Sequence, residues 1–320
     1  MTVNPLVSVI ITSYNQMHFL YEAIDSVVCQ GYQNIELIIT DDGTDDFISE
    51  DVENYIDSCN KGNITNINIL KNDVNVGTVK NLNGALPVAN GKYIMMLDGD
   101  DLYADDCISF AVEFMEAHSE YHIAAGHVQA FNNGDDIHKI RVVKDAKLEL
   151  KLGMNPRDRY IHMCKKGDLC TSISAHVFTR QFFTDEGLFD ERYRLYQDRP
   201  MLLRVARQGY CVGYIDHVIL LYRNNVGVSS GGNLQLLYDG KTLVECEYNP
   251  NISILGKSFC RKIGRYYDCI ISLRTELVTW SWRRRVFFGI KYADVFLFQI
   301  LPTFGVSGLL QRFRKHIKMQ

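Results

Sequence analysis

Three carboxylates crowd into four residues at Asp98-Gly99-Asp100-Asp101, directly after the apolar run Tyr93–Leu97. In extended backbone, residues i and i+2 point the same way, so Asp98 and Asp100 face one site. Gly99 lets the chain bend tightly and lets a ligand approach. Two like charges about 4 Å apart, at an effective dielectric near 20, repel by roughly 4 kcal/mol. A hard divalent cation offsets that repulsion. Mg²⁺ and Mn²⁺ prefer oxygen ligands, often one or two carboxylates completed by substrate phosphates. The competing reading is an acidic turn that caps a helix starting near Asp105 or Asp106.

Two more polar clusters follow apolar runs. Thr12-Ser13-Tyr14-Asn15 follows Val7–Thr12, and Asp41-Asp42-Gly43-Thr44-Asp45 follows Ile35–Thr40. Both runs are short and β-branched, which suits strands buried on both faces. Between them, Phe19, Leu20, Ala23, Ile24, Val27 and Val28 recur at helical spacing. Further strands are predicted at 67–70, 93–97 and 123–131, and further helices at 77–89 and 106–118. Strand alternating with helix over about 130 residues predicts an α/β fold with a mostly parallel central sheet and helices on both faces. Such sheets bind ligands at the carboxyl ends of their strands. All three polar clusters sit at those ends.

Beyond Gly134 the pattern loosens. Residues 144–166 read as polar and irregular, 171–179 as a strand, 199–208 as a helix and 210–222 as one or two strands. The stretch from Asn224 (NNVGVSSGGN) reads as a loop. This organisation predicts a catalytic domain over 1–230, with a nucleotide-binding half at about 1–131 and an acceptor half at about 132–230. A helical extension follows at 231–320.

Taken together, the clusters resemble family 2 glycosyltransferases. Leu97-Asp98-Gly99-Asp100-Asp101 is similar to the family's L-D-x-D-D, and Val7–Asn15 to its opening strand and turn. Asp41–Asp46 resembles D-D-G-S-x-D. Asn75-Val76-Gly77, Lys80-Asn81 and Ala89–Ile94 resemble N-x-G, R-N and A-x-G-x-Y-I, and Gly187–Glu191 resembles G-x-F-D-E. The likeness spans roughly residues 6 to 225. It implies a GT-A-like nucleotide-diphospho-sugar transferase fold and transfer from a nucleotide-sugar donor, by family habit a UDP-sugar, to a saccharide hydroxyl. It further implies that Thr12, Ser13, Tyr14, Asn15, Asp42, Lys80 and Asp98 lie at the donor nucleotide. Asn81 is either a donor ligand or a packing residue. Asp100, with Asp98 and Asp101, is implied to hold Mn²⁺ or Mg²⁺. Inverting transfer needs a carboxylate on a separate segment to take the acceptor's proton. Where the family has an E-D pair, this chain has Gln197-Asp198, so the resemblance implies Asp198 as base and leaves the neighbour's role open. The alternative for Asp198 is a helix N-cap. Leu221-Tyr222-Arg223 resembles a Y-R motif, which implies Arg223 near the donor phosphates. His217, alone in an apolar strand, reads as structural.

Other chemistries lack their signatures. No G-x-x-x-x-G-K-[ST] and no G-x-G-x-x-G after the first strand is present. The nine Cys form no C-x-x-C pair, against a zinc ribbon or a secreted disulfide framework. No signal-peptide pattern precedes the first strand. The expected location is cytoplasmic, or peripheral on the cytoplasmic face of the inner membrane. Residues 255–320 hold 13 basic and 3 acidic residues, a net +10, which leaves −14 for residues 1–254 of a total of −4. The acidic body makes nucleic acid an unfavourable partner. The basic tail, with Trp280-Ser281-Trp282-Arg283-Arg284-Arg285-Val286-Phe287-Phe288, has the composition of a helix lying in an anionic membrane surface; the alternative is a helix pair packing on the catalytic domain or on a second subunit. That location suits a lipid-linked, polyprenyl-diphosphate saccharide acceptor in surface-polysaccharide synthesis. The rival readings are a sugar nucleotidyltransferase, which would need a Gly-rich basic loop after the first strand, and a non-catalytic membrane-bound scaffold of the same fold.

Overall fold

The computed structural model describes residues 4–135, 144–168, 171–227, 233–275 and 282–295. Strands β1 (Val7–Ser13), β2 (Ile35–Asp41) and β4 (Tyr93–Asp98) run parallel, with β1 between the other two. β1 and β2 are buried along their whole length. Such unbroken Val/Ile/Leu runs suit a sheet with helices on both faces. Alternate side chains divide between two cores. Val9, Ile11, Leu37 and Ile39 pack with helices α1 (Met17–Val28), α2 (Ser49–Cys59) and α4 (Cys107–Ala117). Ile10, Ile38, Ile94 and Met96 pack with α3 (Thr78–Ala85) on the opposite face. Strand β3 (Ile64–Lys71) closes this half as a parallel, partly exposed edge.

The other half comprises β5 (Leu102–Tyr103), β6 (Ile123–Phe131), β7 (His176–Thr179) and β8 (Gly213–Arg223). The eight strands run in the order β3-β2-β1-β4-β7-β6-β8-β5. β6 and β8 are parallel, but β7 runs antiparallel to both β4 and β6, and β5 antiparallel to β8. The expected α/β architecture is present, with antiparallel pairing confined to the second half.

Residues 144–166 are not irregular. They form α5 (Leu148–Leu152) and α6 (Pro156–Lys166). The buried face of α6 is Arg159, Tyr160, Met163 and Cys164. The Arg159 guanidinium faces inward and donates to the backbone oxygens of Leu152 and Tyr210. With Arg159 on the same face, the apolar stripe shrinks to Tyr160, Met163 and Cys164, too short to mark a helix by itself. Helices α7 (Arg180–Glu186) and α8 (Asp198–Arg207) follow β7 in the chain.

Helices α9 (Leu234–Leu243), α10 (Ile252–Leu255) and α11 (Lys257–Thr275) pack onto the first body rather than beside it. Leu243, Tyr248, Leu255, Ile263 and Tyr267 share one continuous core with Ile10, Phe178 and Leu203. Among the described C-terminal helices, α12 (Trp282–Lys291) lies outside that core, against α11 through Phe288, Tyr292, Val295 and Cys269. Among the described residues no helix is long and apolar enough to cross a membrane.

Candidate functional site

The strand register brings the three polar clusters to one edge. Ser13 stands opposite Asp41, and Thr12 opposite Asp98. At Gly99 the turn after β4 presses on β1. Its N–H donates to Thr12 O at 2.8 Å, and a Cβ there would lie 2.7 Å from the same oxygen. Only glycine fits that approach.

Asp98 is the hub. It accepts from Thr12 Oγ1 at 3.3 Å, from Ser174 Oγ at 3.4 Å and from Gln197 Nε2 at 3.0 Å. Asp100 accepts from the Gln16 side chain, and burial followed by the Asp98 charge pushes its carboxyl up to about 6. Gly227, at the start of the loop after β8, packs against Asp100 Oδ2 so closely that a Cβ would collide with it. Asp101 is buried and accepts the Arg223 backbone N–H at 2.8 Å. Burial, then the Asp98 charge, pushes it up to about 9. Asp98 and Asp100 line the site, while Asp101 props the turn from beneath. Among the described residues no three or more His, Cys, Asp or Glu side chains form a ready-made cation cage.

Arg223, expected near the donor phosphates, is held by protein groups on every side. It is buried between the rings of Phe19 and Phe131, 4.5 and 4.7 Å from their centroids. Its guanidinium donates to Asp100 O at 2.8 Å, Asn133 Oδ1 at 3.1 Å and Glu22 Oε2 at 2.7 Å. The residue therefore underpins the acidic turn. Arg223→Met is expected to lower stability by about 3 kcal/mol, from two cation–π contacts and several charged hydrogen bonds. Urea denaturation checks this. An unchanged midpoint would remove the pillar role.

In the turn after β2, Asp41 is a turn former. Its oxygens accept the Thr44 N–H and Thr44 Oγ1, both at 2.7 Å. Asp42 accepts the Val76 N–H at 2.7 Å and the Gly77 N–H at 2.8 Å, which fixes the loop ahead of α3. Asn15 sits in the left-handed region (φ +53°), and its N–H donates to Thr44 Oγ1 at 2.8 Å. Tyr14 is exposed, and Ser13 Oγ is buried with no partner among the described residues. Lys80 is exposed in the first turn of α3. Asn81 is a packing residue, bonded to Thr40 and Asn72. His217 stacks on Phe110.

Asp198 arrives from a separate segment of the chain, at the first turn of α8. It takes the Ile173 backbone N–H, and burial, then the Asp98 charge, pushes it up to about 7. Its Oδ1 is buried without a partner among the described residues. Gln197 donates both short contacts to Asp98. An amide in the place of the expected Glu thus gives Asp98 a donor where a carboxylate would repel it. Gln16, Glu22 and Ser174 were not singled out from the sequence. Each meets the site only through contacts that carry no local motif.

The family described as Glycosyl transferase family 2 matches residues 8–184. Among curated relatives, UDP-Glc:alpha-D-GlcNAc-diphosphoundecaprenol beta-1,3-glucosyltransferase WfaP of Escherichia coli is 36% identical over 124 residues, covering 37% of this chain and 47% of that protein. The putative colanic acid biosynthesis glycosyl transferase WcaA of Escherichia coli K12 is 29% identical over 204 residues, covering 63% of this chain and 67% of that protein. The chain spans less than half the length of the first curated relatives it matches, 35% of one from Haemophilus influenzae and 47% of WfaP. Among solved structures, S. aureus TarS 1-349 in complex with UDP-GlcNAc superposes with a TM-score of 0.56 at 17% identity, covering 86% of this chain and 74% of that one. The mannosyltransferase PcManGT of Pyrobaculum calidifontis, in complex with GDP-Man and Mn²⁺, gives 0.56 at 16% identity, covering 97% and 85%. Those two likenesses carry the fold. The family match extends over more than half of the 320 residues, and the chain belongs to glycosyl transferase family 2.

Proposed function

We propose that this glycosyltransferase transfers sugar with inversion from a UDP-sugar to a hydroxyl of a lipid-linked saccharide, with Asp198 as the base. One observation carries the reading. Asp198 shares a site with Asp98 across two distant chain segments, and its Oδ1 is buried with no partner among the described residues. A buried carboxylate oxygen without a donor is costly. An acceptor hydroxyl at that oxygen satisfies it and surrenders its proton there. The new C–O bond forms on the face of the anomeric carbon opposite the leaving diphosphate.

Thr12–Asn15 and Asp42 form the cradle assigned to base and ribose, with Lys80 at its rim and Asp98 toward the sugar or ribose. The crowding of Asp98 and Asp100 fits a divalent cation. Mn²⁺ and Mg²⁺ take one or two protein carboxylates and complete their shell with phosphate oxygens. Asp100 and Asp98 would hold the ion, Asp101 would support the turn, and the ion would neutralise the leaving diphosphate. UDP is supported by the names of WfaP and TarS, and the lipid-diphosphate acceptor by that of WfaP.

The test is nucleotide release from UDP-, GDP- and dTDP-sugars with Mn²⁺, with and without chelator. Metal-dependent release from one donor names the sugar. No release and no metal-dependent nucleotide binding with any donor would leave a non-catalytic scaffold.

The reading places the protein on the cytoplasmic face of an anionic membrane through α12. Val286, Phe287 and Ile290 share an exposed face of that helix, beside exposed Arg284 and Lys291. Trp280 and the tail from residue 296 lie outside the described residues. Phe287→Asp with Ile290→Asp is expected to weaken binding to phosphatidylglycerol vesicles about 100-fold, since each large apolar side chain contributes about 1.5–3 kcal/mol on burial. Undiminished co-sedimentation of the double variant would end the membrane reading.

A further inference from the structure

The segment Arg194-Leu195-Tyr196, directly ahead of Gln197 and Asp198, has no regular structure of its own. Three of its consecutive backbone N–H groups converge on one carboxylate. Asp239 Oδ1 accepts from the Arg194 N–H at 3.2 Å, and Oδ2 from the Leu195 and Tyr196 N–H groups at 2.6 and 2.9 Å. Gln235 Nε2 donates to Oδ1 at 2.9 Å and fixes the carboxylate from its own helix. Asp239 is 1% exposed and lies on α9, beyond the residues matched by the family.

The same segment is tied to the nucleotide side. The Arg194 guanidinium donates to Val76 O at 3.2 Å and Asn75 O at 2.9 Å, and Arg194 O accepts the Val79 N–H at 3.2 Å. That loop is the one Asp42 holds through Val76 and Gly77. The strand of chain that delivers Gln197 to Asp98 is thus clamped at both sides. On one side is the donor loop, and on the other a single buried carboxylate.

We infer that Asp239 is a positioning residue for transfer, holding residues 194–196 so that Gln197 reaches Asp98 and Asp198 Oδ1 opens toward the acceptor. The inference rests on the proposed role of Asp198. Charged acceptors bind backbone N–H groups with short, directional bonds, and three in a row fix the backbone path. A displacement of about 1 Å at a reacting group lowers turnover about 100-fold. Both Asp239 oxygens are taken up by backbone N–H groups and Gln235, so its loss is expected to act on turnover and to spare donor affinity.

The experiment compares full-length wild type, Asp239→Asn, Asp239→Ala and Gln235→Leu. It measures kcat for nucleotide release at saturating donor, the Kd of UDP with Mn²⁺, and the melting temperature. Asparagine keeps one acceptor oxygen and alanine none. The expected order is a fall in kcat of about 10-fold for Asp239→Asn and about 100-fold for Asp239→Ala, with the Kd of UDP within two-fold of wild type. Gln235→Leu, which leaves the three N–H bonds in place, is expected to lower kcat about 3-fold at an unchanged melting temperature. A kcat per folded molecule within two-fold of wild type in the Asp239 variants, with only the melting temperature lowered, would make Asp239 structural and overturn the inference. So would kcat and UDP affinity falling together. If neither Asp239 variant folds, an unchanged kcat in Gln235→Leu overturns it. Failure of the wild type to turn over any donor would instead overturn the proposed function.

Discussion

Asp198→Asn is expected to lower transfer about a thousandfold while leaving the affinity for UDP with Mn²⁺ unchanged. General-base catalysis contributes about 10² to 10⁴ in rate, and asparagine keeps the shape without the lone pair that takes the proton. The pH profile gives a second readout. The carboxyl is pushed up to about 7 by burial and the Asp98 charge, and the base works only when ionised. Wild-type kcat/KM should therefore rise with pH through about 7 and level off above it. That rising limb should vanish in the variant. Stability should move the other way. The folded-state value lies above the unfolded one, near 3.9. Over that window the folded state holds the extra proton, so the stabilising contribution present below about 4 is lost as pH rises through about 7. At pH 8 Asp198→Asn should melt higher than wild type. A variant with unchanged turnover would sink the base assignment. One that loses turnover but melts lower would show that its activity was lost through the fold.

Asp100→Asn is expected to abolish the stimulation of nucleotide release by Mn²⁺ and to lower turnover about 100- to 1,000-fold, the loss typical when one group stabilising developing charge is removed. Burial and the Asp98 charge push the Asp100 carboxyl up to about 6. Metal binding must then displace a proton, so metal affinity should fall as pH drops below about 6. Wild type should melt higher with Mn²⁺ and UDP than without, because ligands that bind only the folded state stabilise it. Asp100→Asn should show no metal-dependent rise. A full rise in the variant would place the cation elsewhere.

The parts of the site that a reader of the sequence can find are those written as strand endings. Thr12, Asp41 and Asp98 each follow an apolar run, and parallel pairing carries all three to one edge. The parts that stay hidden are held by distance in the chain. Arg223 reaches Glu22 across 201 residues and looks like any strand-end arginine until the Phe19 and Phe131 rings close on it. Asp239 looks like a surface acid in a helix until it meets the backbone 43 to 45 residues earlier. Helix α6 is different, because its signals were present. Asn155 caps it, Pro156 opens it, Lys165 and Lys166 fill its last turn, and Gly167 ends it in the left-handed conformation. Between those ends the apolar stripe is only Tyr160, Met163 and Cys164, and it shares its face with Arg159.

Strand β7 has a consequence for how the molecule breathes. Main-chain pairing joins the two halves of the sheet through this four-residue strand, with three registered pairs to β4 and three to β6. Short antiparallel seams between longer paired blocks open at lower free energy than the blocks themselves. Amide hydrogens of residues 177–179 should therefore exchange with deuterium before those of β1 and β2. The chain just ahead of β7 carries Ile173 and Ser174, which touch Asp198 and Asp98. Each opening of the seam would loosen base and hub together, and bound donor should slow exchange there more than anywhere else in the sheet.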